Sequence, residues 1–246
     1  MGERNGPAGR LDVALDRALR PWRAASDPLA LLYSGGLDSS VIAWELRSRP
    51  RFQLFTIGTR ESPDLRAAEE GARILELPWV PAVVTAADVE EVRARVALEL
   101  SGLSPVQRSV QLSFATALAR APSVPLLCGQ GADELFLGYA HYRGIDPGTA
   151  GARADADLER LIRDDWPRSL RIARILGRTV AAPYLDPGFV SAARSVPLDQ
   201  RLPSPEPKAF FRDWAIGRGV PGTLARRPKR ALQYGSGIDR VLRARS

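Results

Sequence analysis

Short apolar runs and amphipathic stretches alternate along the first 130 residues of the chain. Apolar residues recur at steps of three and four over 11–22, which predicts an amphipathic helix. Mainly apolar runs, typical of strands buried on both faces, follow at 29–33, 52–57, 79–84 and 124–128. Helical stretches between them are predicted at 41–46, 65–75, 88–98 and 106–118. This alternation predicts an α/β protein with a doubly wound parallel sheet.

Beyond residue 144 the pattern becomes mostly helical and irregular, with a turn at 182–187 and a loop containing Pro203, Pro205 and Pro207. A chain of 246 residues can bury one sizeable core. We therefore predict one domain over residues 1–246. Its parts are an N-terminal helical segment, a nucleotide-binding core and a helical substrate-side region, at 1–28, 29–144 and 145–246.

The chain is basic, with a net charge of +7, which raises the question of nucleic acid binding. Arginine accounts for nearly all of this charge and is spread through every segment, which is more typical of a solvated surface than of a binding patch. A nucleic acid partner is therefore not expected. The two lysines, Lys208 and Lys229, stand out because an ammonium is more compact and mobile than a guanidinium.

One cysteine, Cys128, and one histidine, His141, cannot form an internal disulfide or a usual zinc site. The sequence has no apolar run of about eighteen residues, and residues 1–10 have no apolar signal core. We therefore expect a cytoplasmic protein with no membrane partner.

Residues 34–40 read Ser-Gly-Gly-Leu-Asp-Ser-Ser, between a predicted strand and a predicted helix. Gly35 and Gly36 let the backbone approach an anion, while the serine hydroxyls and the first N–H groups of the helix can bind it. Asp38 suits a phosphate that arrives with Mg²⁺. The loop therefore predicts an ATP site, although an ordinary strand-to-helix turn with a serine cap has a similar pattern. The spacing is not that of a Walker loop.

A second glycine-containing turn, at 129–134, follows the predicted strand 124–128 and ends in Asp133 and Glu134. In parallel sheets, ligands bind where the strands end, so the loops at 34–40, 58–64 and 129–134 are expected to converge. Asp133 and Asp38 would then face the same phosphate site. Two carboxylates in that position predict a Mg²⁺ site.

These motifs together resemble the synthetase domain of asparagine synthetases, in the same order from about residue 11 to 238. The matching segments after the 34–40 loop are Ser62-Pro63-Asp64-Leu65, Gly129 to Tyr139, Pro183-Tyr184-Leu185-Asp186, Lys208 with Arg212, and Arg227-Pro228-Lys229 through Gln233 to Gly237. The resemblance implies the N-type ATP pyrophosphatase fold, of the adenine-nucleotide α-hydrolase-like kind. It also implies a ligase that activates a carboxylate with ATP and passes it to ammonia or another amine.

Matching positions also imply the roles of individual residues. Ser34, Gly35, Gly36, Ser39 and Ser40 would hold the pyrophosphate, and Asp38 and Asp133 the Mg²⁺. Tyr33, Ile57, Cys128 and Gly129 would form the adenine pocket. The resemblance assigns catalytic positions to Lys229, Lys208 and Gln130, the last of which is usually Glu in the family.

Two departures affect the substrate side. Thr179 and Ala181 stand where the family usually has an acidic residue and an arginine, so the activated carboxylate is undetermined and aspartate is doubtful. No glutaminase domain precedes the loop, so we expect free ammonia, another amine or a separate ammonia-supplying subunit. A tRNA-modifying ATP pyrophosphatase and a non-catalytic nucleotide-binding subunit remain alternatives. The oligomeric state is open, a homo-oligomer included.

Overall fold

The computed structural model describes residues 6–202, 206–227 and 238. Within these residues five parallel strands form one sheet. They are β1 (Leu29–Leu32), β2 (Phe52–Gly58), β3 (Trp79–Val83), β4 (Leu126–Leu127) and β5 (Val180–Ala181). Their order across the sheet is β3-β2-β1-β4-β5. The predicted parallel sheet is confirmed.

Helices fill most of the rest of the described chain. They are α1 (Pro7–Ala24), α2 (Leu37–Leu46), α3 (Pro63–Leu75), α4 (Ala86–Arg95), α5 (Ala97–Leu100), α6 (Pro105–Arg120), α7 (Ala132–Leu135), α8 (Pro147–Arg160), α9 (Trp166–Ile175), α10 (Pro187–Arg194), α11 (Leu198–Arg201), α12 (Ala209–Gly217) and α13 (Gly222–Ala225). A π-helical turn at Leu161–Asp165 joins α8 to α9. None of these helices is long and apolar enough to cross a membrane.

The sheet is covered on both faces, as the doubly wound prediction requires. Alternate residues of a strand point to opposite faces, and in β1 Leu29 and Leu31 belong to one apolar cluster while Ala30 belongs to another. The first cluster contains residues of α1, α2, α3, α10, α12 and α13. The second contains residues of α4, α6 and α9. In α1 the predicted apolar stripe is fully buried at Leu11, Leu15 and Leu19.

Three elements differ from the predictions. The strand predicted at 124–128 is reduced to Leu126–Leu127, and it begins after Pro125, which has no N–H to donate to the sheet. The helix predicted over 88–98 ends at Arg95, and α5 follows as a separate short helix. The strand β5 was not predicted, since two residues leave no recognisable pattern in the sequence.

Candidate nucleotide-binding and catalytic site

A cleft of about 280 Å³ lies beside the loop that follows β1. The strands β2 and β3 lie on one side of β1, while β4 and β5 lie on the other, so the order reverses between β1 and β4. Such a reversal is the usual ligand position in open parallel sheets. The residues that line the cleft are Ser34, Gly36, Leu37, Asp38, Pro63, Asp64, Ala67, Lys208, Arg212 and Arg227.

The glycine loop is packed tightly against α3. Gly35 has a φ of 72°, and a Cβ on it would lie 2.5 Å from the carbonyl oxygen of Ala67. The hydroxyl of Ser39 donates to the carbonyl of Gly36 at 3.2 Å and lies 3.4 Å from the Ser34 hydroxyl. These contacts fix the loop at the N-terminus of α2, where the first N–H groups of a helix favour an anion.

Two acidic side chains from neighbouring strand ends meet one buried ammonium group. The Nζ atom of Lys208 lies 2.6 Å from Oδ1 of Asp38 and 2.8 Å from Oδ1 of Asp133. The Lys208 side chain is 3 % exposed. A Cβ on Gly138 would lie 2.1 Å from Oδ1 of Asp133 and 2.2 Å from Cε of Lys208. The absence of a side chain at Gly138 is therefore what lets these groups come together.

Both the burial of the Lys208 ammonium and the backbone conformation of Lys208 are energetically unfavourable. Burial lowers the pKa of Lys208, while the neighbouring Asp38 carboxylate favours its charged form. Its backbone has a φ of 59°, a left-handed conformation that costs a side-chain-bearing residue about 1–2 kcal/mol. Backbone strain of this kind is concentrated at functional sites.

The first turn of α2 is held in place by contacts with the turn at 182–187 and with the loop after β4. The hydroxyl of Tyr184 donates to the backbone carbonyl of Asp38 at 2.8 Å. Gly129 approaches so closely that a Cβ there would lie 3.1 Å from Cβ of Asp38. The turn at 182–187 and the loop after β4 therefore both support the position of Asp38.

Several residues predicted for nucleotide binding do not line the cleft. The hydroxyls of Tyr33 and Ser40 lie 3.1 Å apart beneath the loop, and burial raises the pKa of Tyr33 to about 12. Ser40 lies in the first turn of α2, with its N–H bonded to the Gly36 carbonyl, and its side chain is fully buried against Tyr33.

The remaining predicted residues lie at or near the strand ends. Ile57 and Cys128 are buried in the apolar cluster on the second face of the sheet, and burial raises the pKa of the Cys128 thiol to about 12. Gln130 is partly buried in the loop after β4. Lys229 lies outside the described residues.

The carboxylate pair suits Mg²⁺ when it arrives with a nucleotide. Both Oδ1 atoms contact the same cationic centre, the Lys208 ammonium, so they can share one cation. Among the described residues no cluster of three or more acidic, histidine or cysteine side chains could hold a metal. Mg²⁺ commonly uses one or two protein carboxylates and completes its octahedron with phosphate oxygens and water. Asp38 and Asp133 therefore fit a metal that phosphate oxygens also ligate.

Three charged residues of the cleft had no role assigned from the sequence: Asp64, Arg212 and Arg227. Asp64 is 5 % exposed and lies in the first turn of α3. Arg212 is 4 % exposed, and its guanidinium donates to backbone carbonyls. The resemblance includes all three positions, but arginine is so common in this chain that residue type alone gave no signal.

Comparison with known proteins identifies relatives over most of the chain. A putative glutamine-hydrolysing asparagine synthetase of Methanocaldococcus jannaschii is 27% identical over 271 residues, covering 94% of this chain and 50% of that protein. The glutamine-hydrolysing asparagine synthetase of Bos taurus is 28% identical over 242 residues, covering 92% of this chain and 43% of that protein. The chain thus spans about half the length of these curated relatives or less.

Among solved structures, a predicted subunit of tRNA methyltransferase from Methanocaldococcus jannaschii is 20% identical, with a TM-score of 0.40. The alignment covers 82% of this chain and 92% of that chain. The family model for asparagine synthase matches residues 10–177, which is more than half of the chain. The chain therefore belongs to the asparagine synthase family.

Proposed function

We propose that the chain is an ATP-dependent amide ligase that activates a carboxylate as an acyl-adenylate and releases pyrophosphate. The observation that best supports this function is the meeting of Asp38, Asp133 and Lys208 beside the glycine loop. Membership of the asparagine synthase family supports an ATP-dependent carbon–nitrogen ligase. The adenylate, the substrate and the amine are parts of the proposal.

In the first step a carboxylate oxygen of the substrate attacks the α-phosphorus of ATP, and the bond to the β-phosphate oxygen breaks. In the second step an amine attacks the activated carbonyl carbon, loses a proton and displaces AMP, which leaves an amide. Ser34, Ser39 and the N–H groups at the start of α2 would bind the departing pyrophosphate. Lys208 would supply positive charge at the same place.

Asp38 and Asp133 would hold the Mg²⁺ that accompanies ATP. Bound there, the ion would stabilise the negative charge that develops on the phosphate oxygens. By its matching position, Lys229 would add a second cation. That assignment rests on the sequence.

The acceptor carboxylate is proposed to be an amino or hydroxy acid whose identity is open. Thr179 is exposed and Ala181 is partly buried, and neither can pair with a charged substrate group. We therefore treat aspartate as one candidate acceptor among the amino and hydroxy acids. The amine would be ammonia, another small amine, or ammonia supplied by a separate subunit.

The test is an ATP–pyrophosphate exchange assay with Mg²⁺ across a panel of amino and hydroxy acids, aspartate included. We expect one substrate class to support exchange and the complete reaction to form AMP and not ADP. Lys208→Met should abolish exchange, while Arg226→Met, which removes an exposed arginine, should retain it. Failure of the whole panel to support exchange in folded protein would contradict the proposal.

The two alternatives from the sequence predict different results in the same experiment. An RNA-directed ATP pyrophosphatase would form AMP only with RNA present, with a steep dependence on salt. A non-catalytic subunit would bind ATP with no exchange for any carboxylate.

A further inference from the structure

Arg227 connects the glycine loop to α3. Its side chain is 15 % exposed, and Nη1 donates to the carbonyls of Gly35, at 3.3 Å, and Ala67. Nη2 pairs with the carboxylate of Glu70, which also lies on α3. One guanidinium therefore holds the loop, the neighbouring helix and the segment after α13 together.

The contact with the Gly35 carbonyl constrains the next N–H group. A peptide bond is planar and trans, so the carbonyl of Gly35 and the N–H of Gly36 point in opposite directions. With the carbonyl bound to Arg227, the N–H of Gly36 is directed toward the Ser34 hydroxyl, at 3.4 Å. Both Ser34 and Gly36 line the cleft. Arg227 therefore sets the orientation of a peptide group that faces the proposed pyrophosphate position.

A second arginine fixes the backbone from which Arg227 projects. Arg212 donates from Nη1 to the carbonyls of Ala225 and Arg227, the latter at 3.3 Å. Its Nε donates to the carbonyl of Pro207 at 2.9 Å, next to Lys208. Because Arg212 is 4 % exposed, these carbonyl contacts are shielded from water. The turn that carries Lys208 and the segment that carries Arg227 are thus tied by one side chain.

We propose that Arg227 is a positioning residue that orients the glycine loop for pyrophosphate, with Arg212 holding Arg227 in place. This inference rests on the proposed function, since it assumes that the loop binds the pyrophosphate part of ATP. Without the guanidinium, the Gly35–Gly36 peptide loses the partner of its carbonyl, and only the weak bond of its N–H to the Ser34 hydroxyl orients it before the anion arrives. Affinity for pyrophosphate should then fall, while affinity for adenosine, which lacks phosphate, should not.

The experiment measures binding of Mg²⁺-pyrophosphate and of adenosine by calorimetry to the whole chain and three variants. Arg227→Met should weaken pyrophosphate binding about tenfold or more, the effect of losing one or two hydrogen bonds from a charged donor. Arg227→Lys should fall between, since an ammonium can reach one carbonyl but lacks the planar fork. The matched control is Arg226→Met, which removes the same charge one residue away from exposed pairs with Glu206 and Asp213.

The results separate the inference from the function on which it rests. If wild-type protein binds pyrophosphate and folded Arg227→Met binds it as tightly as Arg226→Met, the positioning role is overturned and the proposed function stands. Equal weakening of adenosine binding would also overturn it, because it would indicate a general loss of structure. If Arg227→Met does not fold, Arg227→Lys decides, and pyrophosphate affinity equal to that of wild type would reject the role. If wild type binds neither MgATP nor pyrophosphate, both ideas fail.

Discussion

The ends of β1 and β4 differ from the β5 edge of the sheet in how they are built. At the ends of β1 and β4, charged groups are held close together, with the buried ammonium of Lys208 between the partly buried Asp38 and Asp133. On the β5 side, the edge strand is held by backbone bonds, such as the N–H of Cys128 to the carbonyl of Ala181 at 3.0 Å. The ATP half of the proposed reaction is therefore determined by fixed charge. In the proposed reaction, the acceptor half would depend on shape and on uncharged groups.

The variant expected to have the largest effect on ATP–pyrophosphate exchange is Asp38→Asn. This change removes one charge of the pair while keeping the side-chain shape, so the ammonium and the proposed Mg²⁺ lose a ligand. We expect ATP–pyrophosphate exchange to fall about a thousandfold, as for removal of a central electrostatic group. Asp213→Asn, at an exposed surface pair, is the control and should leave the rate unchanged. An Asp38→Asn rate within tenfold of wild type would place the charge-dependent chemistry elsewhere.

Gly138→Ala tests the same region without touching a charge. The new methyl group would collide with the Asp133 carboxylate and with the stem of Lys208, so the ion pairs must separate. We expect about a hundredfold loss of exchange, consistent with small misplacements of reacting groups. Gly217→Ala is the matched variant, because a Cβ there meets no atom within 4 Å. Similar exchange rates in the two variants would show that the close approach at Gly138 is dispensable.

The β5 side is tested by adding charge. Thr179→Glu combined with Ala181→Arg introduces the charged types that the family resemblance places at these positions. If this edge faces the acceptor, exchange stimulated by aspartate should rise about tenfold over wild type, the worth of one charged hydrogen bond. The two single variants serve as references. A double variant that responds no better than either single change would place substrate recognition away from β5.

The smallest expected effect on exchange comes from charge outside the cleft. Arg218 is 15 % exposed and pairs with Asp12 at 2.7 Å, Glu45 at 2.7 Å and Asp16 at 3.0 Å, which ties α1 and α2 to the end of α12. Arg218→Met should lower the free energy of unfolding by about 1–3 kcal/mol. Exchange by the folded fraction should stay unchanged. Denaturant unfolding and exchange measured together check this, with Arg93→Met at an exposed pair as the silent reference.

If Arg218→Met slowed the folded enzyme as much as the cleft variants do, the contrast between cleft and scaffold would be lost. Charged groups outside the cleft would then influence the reaction as much as Asp38, Asp133 and Lys208 do.

The sequence predicted the sheet because its signals are local. The apolar runs that became β1, β2 and β3 are long enough to recognise, and the rule that parallel strands bind ligands at their ends anticipated that Asp38 and Asp133 would meet. The two-residue β5 carries no such signal. The motif predicts that Ser40 binds the anion, whereas in the structure its hydroxyl is buried against the Tyr33 hydroxyl.

Contacts between residues far apart in the chain could not be predicted from the sequence. Lys208 lies 170 residues from Asp38, and only the rarity of lysine and the family resemblance drew attention to it, neither of which predicts its contact with Asp38. Arg227 reaches Gly35 across 192 residues, and nothing in its residue type separated it from the other arginines. Such contacts depend on how α12 and the segment after it pack on the sheet, which apolar periodicity does not specify.

The close contact between Gly35 and the backbone of α3 affects how this protein would tolerate random mutation. Any side chain at position 35 would have to adopt a φ of 72° and enter the backbone of Ala67. A survey of all substitutions should therefore find position 35 as intolerant as the acidic positions, although glycine offers no reactive group. Position 35 is therefore closed to redesign, because the constraint on it comes from the backbone of α3 and not from the chemistry of the site.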